Sequence, residues 1–567
     1  MNETRQRAWL AFYGDVPESL EYPPIGLYQA VQESAARRPT ATAVDFLGST
    51  LTYGELIDGI DRCASALAGL GLGPGDRITI STPTCPQGVI AFYAAAKLGA
   101  VASMIHPLST AEEIAGYLDM SQSRLALTLD LFYAQFAEAR HGTPLETLVL
   151  ARVSDYLSAA KRLGFWLTRG RKIPRVPDDP AVRWWSGLEA GDEPAAAAPV
   201  EPDDLAAILY SGGTTGAPKG IMLSHRNFIA DGIQVATWVG LGESDTVLAV
   251  LPIFHGFGLA VLINAAFLSG AKVVMVPRFS PEIVAELLRT KRPTLTAGPP
   301  TLYEALARDP SLRSADLSSL RAAFSGADTL PEPVRERFES LVADRGGTVR
   351  LLEGYGLTEA VAAIMGMPLH ERRAGSIGVP FPDMLATICD PGTTRELPPG
   401  EEGEICVSGP AVMLGYLDNP QATAEALREH DDGRVWLHTG DIGKADEDGF
   451  FYFTSRLKRM IKSSGFNVFP AQVEAVLYEH PVVAEACVVG IPDEAQGERV
   501  KAFVVANEPE LAGAELADAL IAHCRERLIK WSCPREVEFR DELPKTRVGK
   551  IDFVALVQQE LGAATRE

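Results

Sequence analysis

From residue 25 onward, short apolar runs alternate with longer Ala- and Leu-rich stretches, and Gly, Pro and Asp fall between them. Residues 77–80 and 100–105 read as strands, while the stretches ending near residue 70 and spanning 87–98 read as helices. This alternation predicts a largely parallel sheet with helices on both faces. The rhythm resumes over 204–360 with longer buried runs. Residues 205–209 form one wholly apolar run, read as a buried strand, and a helical pattern opens at Arg226, Asn227 and Phe228. Residues 246–271 carry no formal charge and are long enough to span a bilayer. Pro252, His255, Gly256, Gly258, Asn264 and Ser269 interrupt them, so the expectation is a buried strand, a turn and a buried helix.

The pattern changes past residue 375. Over 375–455 short strands, such as 403–407 and 449–453, are separated by Gly, Pro and Asp turns, as in a small β-rich subdomain. Residues 456–567 have the size of a separate domain, with strand-like runs at 486–490 and 500–506. The expected class is therefore α/β. A large N-terminal domain, 1–455, contains α/β subdomains plus the β-rich one, and a small, mobile α+β C-terminal domain, 456–567, follows. Residues 1–24 read as an irregular lead docked through Trp9, Phe12 and Tyr13, and 189–204 as a loop feeding the strand at 205. No repeat of 20–50 residues is present.

Composition narrows the chemistry. A chain of 567 residues exceeds one ordinary core. The net charge of −22 argues against general nucleic-acid binding but leaves an anionic nucleotide open, because local positive groups decide that. The seven cysteines are dispersed, with no Cys-x-x-Cys pair, which suits a reducing cytoplasm and argues against a structural zinc site. No apolar run of signal-peptide type follows the N-terminus, so a cytoplasmic protein is expected. One segment departs from the acidic background. Over 151–175, Arg152, Lys161, Arg162, Arg169, Arg171, Lys172 and Arg175 interleave with Leu157, Leu163, Phe165, Trp166 and Leu167. Such a segment is either a solvated surface insertion, the commoner case, or a peripheral contact with an anionic membrane face.

Candidate chemistry centres on residues 210–220. After Tyr210 and Ser211 come Gly212, Gly213, Thr214, Thr215, Gly216, Ala217, Pro218, Lys219 and Gly220. The glycines let backbone N–H groups turn toward one point. Thr214 and Thr215 add hydroxyl donors and Lys219 a mobile positive charge, which together suit a polyphosphate. The spacing is neither Gly-x4-Gly-Lys-[Ser/Thr] nor Gly-x-Gly-x-x-Gly. Downstream, Gly354, Tyr355 and Gly356 set a tyrosine between glycines, where its ring can lie against a purine. Thr358 and Glu359 then offer a hydroxyl and a carboxylate, a hard oxygen donor suited to Mg2+. Asp441, in Thr439-Gly440-Asp441, is a carboxylate in what alone reads as an ordinary turn.

The run from Tyr210 to Gly220 resembles the phosphate loop of the adenylate-forming superfamily, which holds acyl-CoA synthetases, peptide-synthetase adenylation domains and luciferases. Many members carry Ser where this chain has Gly212, and the double-glycine form is most like bacterial medium- or long-chain fatty acyl-CoA ligases. The resemblance extends in order from about residue 200 to 552; residues 25–200 match only in general pattern. It implies a nucleotide set of Ser211, Gly212, Gly213, Thr214, Thr215, Gly216, Lys219, Gly326, Ala327, Glu353, Gly354, Tyr355, Gly356, Asp441 and Arg456. Thr358 and Glu359 would be catalytic, with Glu359 holding Mg2+. Lys458 would be a hinge, Lys462 and Gly465 would border a channel for the CoA arm, and Lys550 would be the catalytic lysine. Two departures stand out: Arg459 replaces a common acidic residue, and the arginine often found after the lysine is missing, since Phe553 follows Asp552. His255, in an acyl-pocket motif at 251–258, would gate or line the path of the carboxylate, with Gly256 and Gly258 leaving room for an alkyl tunnel.

The implied reaction is ATP-dependent ligation of a carboxylic acid to CoA through an acyl-adenylate. A medium- or long-chain fatty acid is favoured by the double-glycine loop, the glycine-flanked apolar pocket motif and the basic-aromatic insertion. The lack of an aspartate near 255–258 to bind an α-amino group lowers an amino acid, and bile, aryl or short branched acids remain open. Two competitors are an enzyme loading a carrier-protein phosphopantetheine and a silent lipid-binding protein on the same fold. The intact Lys219, Glu359, Asp441, Arg456 and Lys550 argue against silence.

Overall fold

A computed structural model of the chain describes residues 7–168, 170–188, 195–211, 218–459, 461–463, 466–493, 496–545 and 551–564. Its strands form four sheets, and the single parallel sheet expected from the alternation is in fact two. In the nine-stranded sheet, Thr42–Phe46, Lys272–Met275, Thr246–Ala249, Leu295–Gly298, Ala322–Ser325 and Leu351–Gly356 run parallel side by side. Antiparallel strands close its edges, Ser49–Thr52 on one side and Ala363–Gly366 followed by Val379–Pro380 on the other. In the eight-stranded sheet the parallel block runs from Leu205–Ser211 through Val101–Met104, Arg77–Ser81, Leu125–Leu129 and Thr147–Ala151 to Val182–Trp184. Its other edge, Lys219–Ser224 and then Gly415–Tyr416, is antiparallel.

The period-2 alternation of strand side chains explains why both sheets are covered on both faces. Val247, Ala249, Val273 and Met275 face one large core, whereas Leu248 and Val274 face a second, beneath the helices Pro281–Lys291, Pro300–Arg308 and Glu332–Asp344. In the other sheet Leu125, Leu127 and Val149 face the same large core, and Ala126, Leu148 and Leu150 face the helices Ala111–Ser121 and Tyr133–Ala139. The shared core is filled by the helices Leu27–Arg37, Tyr53–Gly69, Pro86–Lys97 and His225–Trp238. The helix at 53 starts where it does because Thr52 caps it: its hydroxyl accepts from Glu55 N at 3.1 Å, and Glu55 accepts from Thr52 N at 2.7 Å.

Residues 246–271 form a strand, a turn and a buried helix, as the sequence predicts. The helix is π-wound over Phe257–Asn264 before becoming α-helical at Ala265–Ser269. Among the described residues no helix is long and apolar enough to cross a membrane. The N-terminal lead is a short 3-10 helix, Ala8–Phe12, docked by Trp9 against Phe451, Phe12 against Phe450 and Tyr13 against Trp238.

The third sheet, Leu385–Cys389, Gly403–Ser408, Val435–Ala445, Leu427–Glu429 and Phe451–Arg456, is wholly antiparallel. The fourth gathers Ile461–Ser463, Phe466–Val468, Val483–Asp493, Gly497–Ala506 and Glu536–Phe539. Its two hydrophobic clusters take no residue from before Ile461 among those described. Lys501, buried there, lies 2.8 Å from each of Glu536, Glu538 and Glu560.

Candidate active site

The phosphate-loop segment leaves the strand Leu205–Ser211 and returns as Lys219–Ser224, with Ser211 directly opposite Lys219. The segment is thus the connection of an antiparallel pair. Gly212, Gly213, Thr214, Thr215 and Gly216 lie outside the described residues. Lys219, half-buried, holds its ammonium 4.3 Å from the centre of the Tyr416 ring. That ring belongs to the short strand Gly415–Tyr416, which pairs with Lys219–Ser224 (Tyr416 opposite Ile221). The Tyr416 hydroxyl donates to Glu359 Oε1 at 3.0 Å, and the Glu359 carbonyl accepts from Met413 N at 2.9 Å. Burial, reinforced by the Glu359 charge, pushes the Tyr416 phenol well above its ordinary range, so it remains a donor. Tyr416 is the residue the sequence reading missed. A Gly-Tyr pair carries no periodic signal, and only the pairing of the two strands reveals its place.

A second set forms where the nine-stranded sheet meets the third sheet. Tyr355 lies in the strand Leu351–Gly356, buried, and its hydroxyl donates to Asp441 Oδ2 at 2.7 Å. Asp441 is 2% exposed and faces Arg456 across the strand pair, with Arg456 Nε 3.1 Å from Oδ1. Backbone fixes the aspartate: Thr439 Oγ1 accepts from Asp441 N at 3.1 Å and donates to Ile405 O at 2.7 Å. Gly440 between them has φ +70, the left-handed region that favours glycine. Glu353 is placed differently from the sequence expectation. Its buried carboxylate pairs with Arg335 at 2.5 Å, so the side chain is occupied inside the fold, not offered to a nucleotide.

The turn at 325–327 lies against the strand that carries Tyr355. Gly326 N bonds Gly298 O at 3.1 Å, and a Cβ at Gly326 would lie 3.1 Å from Gly354 O. Ala327 has φ +69, a conformation uncommon without glycine. Thr358 opens the 3-10 turn Thr358–Ala360, and Val361 behind it has φ +62, a strained setting for a β-branched residue. The expected role of Gly256 and Gly258 needs correction. A Cβ at Gly256 would fall 1.8 Å from Val361 O, and one at Gly258 2.1 Å from Pro252 O. These glycines let backbone approach backbone; they do not open a tunnel. Gly356 is of the same kind, since its Cβ would lie 1.5 Å from Ala362 O. His255 is exposed, and the neighbouring Phe254 ring lies 4.4 Å from the His106 ring. A recess of about 910 Å³ opens elsewhere, between Tyr53–Gly69 and Ala159–Thr168, and none of the candidate residues lines it.

Lys458 sits in the 3-10 turn Leu457–Arg459 that links the third sheet to the fourth. Arg459 is committed to the far side: it donates to Glu474 Oε1 at 2.5 Å and lies 5.0 Å from the Phe553 ring. Lys462 is exposed, and its backbone N donates to Glu498 Oε2 at 2.6 Å. Gly465 and Lys550 lie outside the described residues. The segment holding Lys550 is flanked by an antiparallel bridge between Lys545 and Ile551.

Residues 31–417 match the AMP-binding enzyme family and residues 472–550 match the AMP-binding enzyme C-terminal domain. The chain is 37% identical to a long-chain-fatty-acid–CoA ligase of Bacillus subtilis, over 98% of each chain. It is 35% identical to a long-chain-fatty-acid–CoA ligase of Escherichia coli, over 96% of this chain and 97% of the relative. Among solved structures, ATP-bound MatB from Rhodopseudomonas palustris superposes with a TM-score of 0.81 at 26% identity, covering 95% of this chain and 99% of that one.

Proposed function

The chain belongs to the AMP-binding enzyme family, and from that membership we propose that it is an AMP-forming acyl-CoA ligase acting on long-chain fatty acids. The observation that carries this reading is the meeting of two contact sets joined through the chain between Tyr355 and Glu359. Lys219, Tyr416 and Glu359 form a polyphosphate set; Tyr355, Asp441 and Arg456 form a ribose set. Full-length likeness to two long-chain-fatty-acid–CoA ligases supports the acid class.

In the first half-reaction the acid's carboxylate attacks the α-phosphorus of ATP, and pyrophosphate leaves. Both reactants are anionic, so the chain's work is alignment and charge neutralisation. Lys219 and the glycine-rich loop hold the outer phosphates, Asp441 the ribose hydroxyls, and Arg456 the side of the ribose nearest the phosphates. Thr358 offers a hydroxyl beside them, Lys550 brings its ammonium to the α-phosphate region, and His255 lines the entry of the carboxylate. Glu359 fits a Mg2+ ligand: it is a half-buried carboxylate, held at one oxygen by Tyr416, in keeping with a cation that takes one or two carboxylates plus phosphate oxygens. Bound there, the cation would neutralise charge on the departing pyrophosphate. In the second half-reaction the CoA thiol attacks the acyl carbonyl and AMP leaves, so the chain need only admit and orient the thiol. Residues 456–567 act as a mobile domain that withdraws Lys550 and presents the Lys462–Gly465 side as a channel for the CoA arm.

The test is AMP release by the purified chain with ATP, Mg2+ and acids of increasing chain length, with and without CoA. The expected result is CoA-dependent AMP and acyl-CoA formation that peaks at long chains. Adenylate formation without CoA turnover would instead assign a carrier-protein acceptor, and ATP binding with no AMP from any acid would overturn the ligase reading.

A further inference from the structure

We propose that Cys389, Cys406, His430 and His438, buried together in the third sheet, form a structural site for a thiophilic divalent cation of the zinc class. The sequence spacing of these residues matches no zinc motif, and the sheet is what assembles them. Cys406 and His438 are direct partners across the strands Gly403–Ser408 and Val435–Ala445, and Cys389 stands opposite Glu404 on the neighbouring strand Leu385–Cys389. All four are buried. Donor atoms of Cys389, Cys406 and His430 lie within 4.8 Å of one another. His438 Nδ1 is 3.4 Å from Cys406 Sγ, and its Nε2 is 3.0 Å from His430 Nε2. Tetrahedral zinc, at about 2.3 Å from sulfur and about 2.0 Å from nitrogen, sets donors roughly 3.3–3.8 Å apart. The 3.0 Å between the two Nε2 atoms lies close to that range, while the 3.4 Å contact of Cys406 is to Nδ1, the nitrogen that Glu404 holds.

Two further observations point to a ligand. His430 is 7% exposed, yet its Nδ1 has no hydrogen-bond partner among the described residues. An orphan of this kind ordinarily destabilises a fold, so the chain's own contacts leave this ring incompletely satisfied. Glu404 Oε2 lies 2.9 Å from His438 Nδ1, the carboxylate–histidine pairing that fixes the tautomer of metal-bound imidazoles and leaves Nε2 as the ligating atom. The stacked Trp436 ring, 5.2 Å from His430, orients that imidazole. Cys389, Cys406, His430 and His438 therefore make a closed set with two thiolates and two imidazoles, as structural rather than catalytic zinc requires. The site also reaches the ribose set. Glu404 Oε1 accepts from Gly440 N at 2.9 Å, next to Asp441, so the cation would clamp the strand that presents this carboxylate.

The test uses the full-length chain, stripped with a chelator and titrated with Co2+ and then Zn2+. One Co2+ per chain is expected, with a thiolate-to-cobalt charge-transfer band and tetrahedral visible bands, all displaced by Zn2+. Cys389→Ser and Cys406→Ser should each abolish the charge-transfer band, whereas Cys533→Ser should keep it. In case the serine variants do not fold, wild-type chain is alkylated in mild denaturant with and without Zn2+, and mass spectrometry should show protection of Cys389 and Cys406 specifically. A folded wild-type chain that gives no thiolate band, a band that survives both serine substitutions, or alkylation of these two cysteines unchanged by Zn2+ would overturn the site.

Discussion

Tyr416 carries two interactions at once, and they are separable. Its ring faces the Lys219 ammonium, and its hydroxyl donates to Glu359. Tyr416→Phe keeps the first and removes the second. A hydrogen bond to a charged group contributes about 1.5–3 kcal/mol, and each 1.36 kcal/mol of transition-state stabilisation is about ten-fold in rate. Tyr416→Phe should therefore lower kcat/KM for ATP by about ten- to 150-fold and raise the Mg2+ concentration needed for half-maximal rate. A variant with the wild-type Mg2+ dependence would show that Tyr416 does not orient Glu359. The residue scale is also where the sequence was least complete. Tyr355 and Glu359 stand out in the sequence because glycines flank chemistry-bearing side chains, and Asp441 and Arg456 through the family resemblance. Tyr416 does not, because its importance comes from a strand pairing. At Gly256 and Gly258 the sequence says only that a Cβ is unwelcome, and in the fold it is backbone, not a ligand, that excludes it.

Among the elements, the helix Ala159–Thr168 is the one whose exposed face asks for a partner. Leu163, Trp166 and Leu167 are 59%, 51% and 51% exposed, and Arg171 stacks on Trp166 at 4.3 Å. Lys161 is spent on the Leu47 carbonyl, but Arg162, Lys172 and Arg175 remain exposed nearby, in a chain of net charge −22. Apolar side chains beside local cations are complementary to an anionic bilayer surface, where each basic residue near the surface contributes about 1 kcal/mol. We propose that this helix rests on such a surface and shortens the path of a membrane-dissolved acid. Leu163→Asp combined with Trp166→Asp should weaken binding to vesicles containing phosphatidylserine by at least about ten-fold, a loss of about 1.4 kcal/mol, while ligation of a detergent-solubilised acid is unchanged. Equal vesicle binding by the two proteins would leave the segment as a solvated insertion. The basic and aromatic residues made this segment visible in sequence. The two-sheet arrangement was less visible, because a buried parallel strand shows the same apolar run whichever sheet it joins, and the sheet it joins is set by long-range packing.

At the scale of the molecule, the sequence reading puts a boundary near 456, where the pattern changes from short strands between turns to a compact unit with its own apolar runs. Two facts make the connection a hinge candidate. The hydrophobic clusters beyond it draw only on residues from Ile461 onward among those described, and Arg459 is bound to Glu474 on the far side while Arg456 is bound to Asp441 on the near side. Between two anchored arginines lie only Leu457 and Lys458, within a single 3-10 turn. A rotation of the second unit must therefore be absorbed by the dihedrals of these residues. Proline fixes its own φ near −65° and moves the preceding residue away from helical conformations, so Lys458→Pro should lock the turn without touching the ATP-binding side chains. Adenylate formation, read by ATP–pyrophosphate exchange, should then fall little. Transfer of the acyl group from preformed adenylate to CoA should fall at least about ten-fold further, since it needs the second arrangement. Equal loss in both half-reactions would mean that the turn supports one arrangement throughout, and the domain motion would have to be sought elsewhere in the chain.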